Sequence, residues 1–319
     1  MVINLKDYYT FIFILKKFKM IKAESLQKRY GNQVALEIDD LVIESDKITG
    51  LIGPNGAGKS TFMKIICGYL SPTKGRVFIN DEEVQQHNSE LKKKIGYLPE
   101  NNPLYYDLYV KEYLLYVAGI YKLQEKTLMI KKIIDQTGLG KEQNKKIGLL
   151  SKGYKQRVGL AQAIIHDPKI LILDEPTSGL DPNQIIEIRN LIVELGKNKT
   201  VLLSTHILQE VEAICDKVVI LNNGKIITNE ETGKVQKQDK ILLIEFDRNP
   251  LTDDIRKVEG VVSAENIKEN IWAIKSEKNT DIRTNIFNFA VNNKLVILSQ
   301  QYQESKLEDI FHKLTKNGK

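Results

Sequence analysis

The sequence predicts an α/β fold in which a parallel sheet carries a phosphate-binding loop, followed by a small ferredoxin-like α+β domain. Three observations predict it. The stretch Gly53-Pro54-Asn55-Gly56-Ala57-Gly58-Lys59-Ser60-Thr61 follows directly on the apolar run 48–52. A G-x-x-x-x-G-K-[ST] pattern between a strand and a helix converges backbone N–H groups on an anion, with the helix dipole aimed at the same point. A second apolar run, 170–173, ends in the paired acids Asp174 and Glu175, as a buried parallel strand does when it delivers carboxylates to a crevice. Beyond about residue 233 the order of elements becomes β-α-β-β-α-β-α, with no cysteine and no glycine-rich loop.

Composition sets the outer bounds. A length of 319 residues allows about two domains, and 42% hydrophobic with 28% charged residues excludes a disordered or fibrous chain. The net charge of +6 comes from scattered lysines; it fits an anionic ligand or a membrane surface but reads first as a solvated face. Cys67 and Cys215 in apolar settings speak for a reducing compartment and against a disulfide framework or a zinc site. No run approaches the roughly 18 to 20 apolar residues of a membrane-spanning helix, so the chain is expected to be soluble. The apolar stretch 8–15 is too short, and Lys16, Lys17 and Lys19 follow it rather than precede it, the reverse of a signal peptide. Residues 1–19 are set apart as an N-terminal extension, a start-site artefact or a disordered segment, with an interfacial membrane anchor as the alternative.

Residues 21–52 alternate apolar and polar positions around a Gly31-Asn32 turn, the pattern of a hairpin. Tyr30 closes its first strand, where an aromatic face could stack on a base, although spacing alone favours a surface or core tyrosine. In the phosphate loop, Lys59 would reach the β- and γ-phosphates and the Ser60 hydroxyl would sit on Mg²⁺. Residues 61–68 read as a short helix stopped by Gly68, and 71–75 as a turn into a strand at 76–79. Another strand, 95–98, is closed by Pro99-Glu100-Asn101-Asn102-Pro103. Helical spacing of Val110, Tyr113, Leu114 and Val117, then of Leu128, Ile130, Ile133 and Ile134, marks helices within about 107–134. Tyrosines 105, 106, 109, 113, 116 and 121 read equally as a partner-binding surface or as helix packing.

Leu150-Ser151-Lys152-Gly153-Tyr154 opens a second chemical block, followed by a helix at 158–165 and the strand 170–173. Asp174 is placed to hold Mg²⁺ through water, and Glu175 to orient or deprotonate an attacking water. Ser178-Gly179-Leu180-Asp181-Pro182 leads into a helix at 184–195, and the strand 201–204 is closed by Thr205-His206. Among the four histidines only His206 ends a buried-type strand beside the suspected phosphate site, which assigns it to the γ-phosphate; His87, His166 and His312 read as helix-end or surface residues. Residues 216–221, the turn Asn222-Asn223-Gly224 and 225–227 carry a hairpin signal. The final stretch places strands at 241–246, 261–267, 271–275 and 295–300, with helices at 252–257, 280–292 and 306–316.

In this order the motifs resemble those of the ATP-binding subunits of ABC transporters, from residue 21 to about 233. The resemblance implies a P-loop NTPase cassette: a RecA-like core, an antiparallel β-subdomain and a helical subdomain over 20–233, with an accessory domain at 234–319. It implies an ATPase that binds ATP and Mg²⁺. The phosphate loop is Gly53 to Thr61, the signature Leu150 to Tyr154 with donors at Ser151 and Gly153, and the Walker B strand ends in Asp174 and the catalytic Glu175. The D-loop is Ser178 to Asp181, His206 is the switch histidine, and Tyr30 takes the adenine-stacking position. Glu100 stands where the family usually has a Mg²⁺-sensing Gln, and an ionised carboxylate cannot donate a hydrogen bond. The usual Leu-Ser-Gly-Gly-Gln signature is here Leu-Ser-Lys-Gly-Tyr. That signature, Tyr97-Leu98-Pro99-Glu100 and the closing Leu307-Glu308-Asp309-Ile310-Phe311 look like the ABC-2 export branch and, more narrowly, the gliding-motility-associated subunits. Such subunits work as a dimer of two cassettes, here a homodimer, on a separately encoded transmembrane subunit. They are cytoplasmic, peripheral on the inner face of the membrane, and take no nucleic-acid partner. The alternative class is a soluble ABC ATPase acting on ribosomes or DNA.

Overall fold

The computed structural model describes residues 19–86, 88–232, 240–276 and 280–304. The expectations for the extension up to residue 18, for His87, and for the last helix with its 307–311 sequence and His312 lie outside those residues. The chain divides into two compact units between Glu230 and Glu231.

In the first unit, β1 (Lys19–Tyr30) and β2 (Gln33–Glu44) form the expected antiparallel hairpin. Gly31 takes the turn at φ +57°, a conformation that glycine adopts at no steric cost. One face of the hairpin, with Ile21, Ala23 and Leu26 on β1 and Leu36, Ile38, Leu41 and Ile43 on β2, is buried. Next in the chain come β3 (Ile48–Ile52), α1 (Lys59–Ile66), β4 (Lys74–Ile79), the short β5 (Glu82–Glu83) and α2 (Ser89–Lys92). They are followed by β6 (Ile95–Leu98), α3 (Val110–Ile120), α4 (Lys126–Gln136), α5 (Lys152–Ile164) and β7 (Ile170–Asp174). The unit closes with α6 (Pro182–Gly196), β8 (Thr200–Thr205), α7 (Leu208–Ile214), β9 (Lys217–Asn222) and β10 (Lys225–Glu231).

Two sheets result. One has the order β2-β1-β4-β5, the other β10-β9-β3-β8-β7-β6, in which β9, β3, β8, β7 and β6 run parallel. Every residue of β3, β7 and β8 is buried, which is why their sequences are continuous apolar runs rather than alternating ones. The α1 helix joins the sheets: Phe62, Met63, Ile65 and Ile66 pack in one core with Leu26 and Leu36 of the hairpin and with Leu51, Ile172 and Leu202 of the parallel sheet. Each such side chain contributes about 1.5–3 kcal/mol of burial, so the phosphate loop ahead of α1 stands on a well-buried core.

Three helices start earlier than the sequence predicts, among them α6, which begins at Pro182 rather than at 184, behind its Asp181 cap. The α5 helix begins at Lys152 rather than at 158, because the Ser151 hydroxyl caps it by accepting the Tyr154 N–H at 3.4 Å. Similarly α1 begins at Lys59, inside the loop motif itself. The short α2 and α7 have no counterpart in the sequence reading. Cys67 and Cys215 are free and buried, and burial pushes both thiols up. Among the described residues no helix is long and apolar enough to cross a membrane.

The second unit contains β11 (Lys240–Phe246), α8 (Thr252–Arg256), β12 (Val261–Lys268), β13 (Ile271–Ser276), α9 (Arg283–Asn292) and β14 (Ile297–Glu304). Its sheet order is β12-β13-β11-β14 with every pair antiparallel. That is the ferredoxin-like arrangement expected from the order of elements. Leu242, Ile244 and Phe246 of β11, Trp272 and Ile274 of β13, and Ile255 and Ile286 of the helices form its core.

Candidate nucleotide site

The loop between β3 and α1 has its shape imposed by glycine. A Cβ on Gly53 would lie 2.3 Å from the Leu221 carbonyl oxygen, and Gly58, at φ +106°, would place one 2.7 Å from the Ala35 carbonyl oxygen. Backbone thus packs against backbone where any side chain would intrude. The loop lines a cavity of about 420 Å³ together with Ala35, Glu100, Glu175, Ser178 and His206. Lys59 is buried at the base of it, its Nζ donating to the carbonyl oxygens of Gly53 at 2.6 Å and Pro54 at 3.3 Å and standing 3.8 Å from the Glu175 carboxylate. Burial lowers its pKa, opposed by the carboxylates of Glu175, Asp174 and Glu100.

The parallel register of β7 and β8 sets Asp174 beside Ser204. The Ser204 hydroxyl donates to Asp174 Oδ1 at 2.6 Å and accepts the Glu175 N–H at 2.9 Å. The same Asp174 oxygen accepts the Ser60 hydroxyl at 3.1 Å, so the first turn of α1 is tied to the end of β7. Glu175 then takes φ +49°, a left-handed conformation that a residue with a Cβ adopts only when its surroundings compel it. That turn carries its carboxylate to the cavity, where Oε2 lies 2.8 Å from His206 Nδ1. A carboxylate only accepts, so Nδ1 is the donor.

This arrangement can do three things. Backbone amides, Lys59 and a helix N-terminus can hold phosphates; Ser60 and Asp174 offer hard oxygen ligands; and Glu175 offers a positioned carboxylate.

The structure brings Asn55, Gly56, Ala57, Gly58, Lys59, Ser60, Thr61, Glu100, Glu175 and His206 into one cavity lining, and Asp174 joins them from beneath. Tyr30 does not line it; the ring is half exposed at the end of β1, with Lys28 Nζ 5.4 Å from its centroid. Ser151, Gly153 and Asp181 do not line it either. They lie at helix starts instead: Ser151 caps α5, Asp181 caps α6 by accepting the Gln184 N–H at 2.9 Å, and a Cβ on Gly153 would lie 2.9 Å from Gln184 Cδ. His166 is a helix-end residue as expected, its ring stacked on Tyr121. Ser204 went unrecognised in the sequence; the one signal was a polar residue closing the apolar run 201–203.

A family profile described as ABC transporter matches residues 36–178. The bacitracin transport ATP-binding protein BcrA of Bacillus licheniformis is 34% identical over 304 residues, spanning 94% of this chain and 98% of its own length. The chain belongs to the ABC transporter ATP-binding family. The lantibiotic transport ATP-binding protein SrtF of Streptococcus pyogenes is 38% identical to this ABC protein over 213 residues, 66% of the chain and 91% of SrtF. Among solved structures, cbiO1 from Clostridium perfringens, part of the ABC transporter complex cbiONQ, superposes with a TM-score of 0.63 at 30% identity, over 68% of this chain and 90% of its own. The dimeric ABC transporter cassette MJ0796 gives 0.61 at 28% identity, over 66% and 98%. The fold is that of an ABC cassette, and the protein is an ATP-binding ATPase subunit of a transporter.

Proposed function

We propose that this ABC subunit hydrolyses ATP as a Mg²⁺-dependent homodimer and powers export through a separately encoded transmembrane subunit, from the inner face of the membrane. The observation that carries the hydrolytic part is the Glu175 carboxylate, turned by its left-handed backbone into the phosphate-loop cavity and hydrogen-bonded to His206. In this reading Glu175 orients and deprotonates the attacking water, and His206 steadies that carboxylate and meets the γ-phosphate. Lys59 and the amides of Gly53 to Thr61 hold the phosphates, and Tyr30, outside the cavity lining and half exposed at the end of β1, stacks on adenine.

The residues present fit a magnesium ion. Asp174 is buried with two hydroxyl donors on a single oxygen, Oδ1, and an all-oxygen set of Ser60, Asp174 and phosphate suits a hard cation, with the Glu100 carboxylate on the same cavity lining. When bound, the ion would neutralise charge on the phosphates.

The placement of Ser151, Gly153 and Asp181 away from the chain's own cavity supports completion of the site by a second copy, whose Ser151 and Gly153 face the γ-phosphate. BcrA and SrtF bear names of peptide-antibiotic transport, which favours an exported peptide as cargo. A role in gliding motility rests on the resemblance of the Leu150 to Tyr154 signature, Tyr97-Leu98-Pro99-Glu100 and the Leu307 to Phe311 sequence alone, and ranks behind it.

Glu175→Gln tests the core of the proposal. The variant is expected to bind ATP, to accumulate as a dimer in size-exclusion chromatography with ATP and Mg²⁺, and to release no phosphate. Turnover at the wild-type rate would remove Glu175 from its role.

A further inference from the structure

Glu210, in the first turn of α7, is 1% exposed and has no part in the site described above. Its carboxylate is nonetheless shared by three segments that surround that site. Oε1 accepts the Thr177 hydroxyl at 2.5 Å and Oε2 accepts the Thr205 hydroxyl at 2.7 Å. Arg189 Nη2, on the α6 helix that Asp181 caps, stands 3.6 Å from Oε1. Thr205 Oγ1 in turn accepts the Ile207 N–H at 3.0 Å, which clasps the backbone on either side of His206.

The backbone ladder between β7 and β8 ends at Asp174 and Ser204. Past that point the two chains carry Glu175 and His206, whose mutual contact needs a fixed separation. Thr177 lies inside the turn closed by the Ser178 N–H on the Glu175 carbonyl oxygen at 3.1 Å, the turn that holds Glu175 at positive φ. Thr205 directly precedes His206. An acceptor-only carboxylate between two hydroxyl donors and a guanidinium is a satisfied buried charge, and such a node is rigid because losing any partner leaves that charge uncompensated.

We infer that Glu210 is a positioning residue for ATP hydrolysis, a buried clamp that fixes the Glu175 turn and the His206 segment at the spacing their hydrogen bond requires. The inference rests on the proposed roles of Glu175 and His206. Glu210 lies outside the lining of the phosphate-loop cavity and acts through the two threonines.

The test combines Glu210→Gln, Thr177→Val and Thr205→Val with steady-state kinetics and thermal melts of the full chain. Each single variant is expected to lower kcat by about tenfold to about a hundredfold, as small misplacements of a reacting group do, with KM for ATP within about twofold because the phosphate loop is untouched. Thr177→Val added to Glu210→Gln should cost little more than Glu210→Gln alone, since both break one clamp. Thr205→Ser, which keeps the hydroxyl, should retain the wild-type rate. A kcat unchanged in all three variants while their melting temperatures fall would make the node purely structural and overturn the inference, as would losses that multiply in the double variant. Should Glu210→Gln fail to fold, Thr177→Val paired with Thr205→Val poses the same question: a combined loss smaller than the product supports the clamp, and a full product overturns it. Glu175→Gln run alongside separates the two levels. If it turns over normally, the assignment of Glu175 fails; if it is inactive while the clamp variants match wild type, only the clamp fails.

Discussion

Ser204 has the most consequential single hydroxyl at the site, and Ser204→Ala measures what it holds. The substitution removes one oxygen from a fully buried position and leaves packing otherwise intact. Two partners lose it: the Glu175 N–H, which has that oxygen as its acceptor at 2.9 Å, and Asp174 Oδ1, to which it donates at 2.6 Å. A buried backbone donor left unsatisfied costs about 1–3 kcal/mol, and a hydrogen bond to a charged acceptor contributes about 1.5–3 kcal/mol. The second loss is softened because Ser60 still donates to the same oxygen at 3.1 Å. The left-handed backbone at Glu175 adds strain that the lost bond helped to offset. Together these set the expected destabilisation at about 3 kcal/mol. Urea unfolding followed by far-UV circular dichroism reads it, as a midpoint shifted down by about 1 M or somewhat more. The choice of probe matters, since the single tryptophan, Trp272, lies in the core of the second unit and its fluorescence follows that unit. A loss below about 1 kcal/mol would show that the Glu175 amide does not depend on Ser204 and would refute the reasoning.

Two further perturbations probe the surroundings of the site. Gly96→Ala places a Cβ 2.1 Å from the Ala163 carbonyl oxygen and 2.9 Å from Pro168 Cγ, so β6 and α5 must separate at a cost of about 1–3 kcal/mol or more; an unchanged melting temperature would contradict that close approach. His166 gives a pH dependence. Burial holds its pKa below the ordinary 6.5, with the Ile95 carbonyl oxygen, 3.1 Å from Nε2, working the other way. The unfolded chain therefore takes up this proton at a pH where the folded chain still resists it. The contribution to stability is full above the unfolded value and is lost as pH falls from there through the folded one. Melting temperatures measured between about pH 7 and about pH 5 should fall more steeply for wild type than for His166→Gln, and equal slopes would deny His166 that part.

What could be read from the sequence was whatever is encoded within one contiguous segment. The phosphate loop, the wholly apolar strands and the antiparallel second unit each depend on local spacing, and each was legible. The start of α5 was not, because Gly153 is a poor helix former and the Ser151 hydroxyl that caps the helix was read only as a phosphate donor. The tyrosines of the α3 region divide between the two readings offered for them. Tyr113 is buried, with its pKa pushed up to about 12 by that burial, whereas Tyr105, Tyr106, Tyr109 and Tyr116 are exposed. Ser204 and Glu210 were missed for a different reason. Their importance comes from the register of β7 against β8 and from the packing of α7, which bring distant residues to one carboxylate. Likewise, no pattern in Asp174-Glu175-Pro176 announces a left-handed glutamate.

The two departures from the family's usual motifs fall at separate places and differ in sign. Glu100 lines the phosphate-loop cavity, and its carboxylate is among those that oppose the effect of burial on Lys59. An amide there could both donate and accept; a carboxylate offers oxygen alone, so toward a Mg²⁺ ion and its waters it would act purely as an acceptor. Lys152 instead lies over the D-loop of its own chain, where a Cβ on Gly179, at φ +68°, would come within 2.1 Å of the Lys152 Nζ. Its ammonium therefore lies close against Gly179 and outside the lining of the phosphate-loop cavity. A glycine at 152 would leave Gly179 uncovered, so the lysine brings the start of α5 into close approach with the loop that precedes α6. If the signature and D-loop of one chain face the same partner in the proposed dimer, the Lys152 side chain packed against Gly179 would make the two approach that partner as one surface.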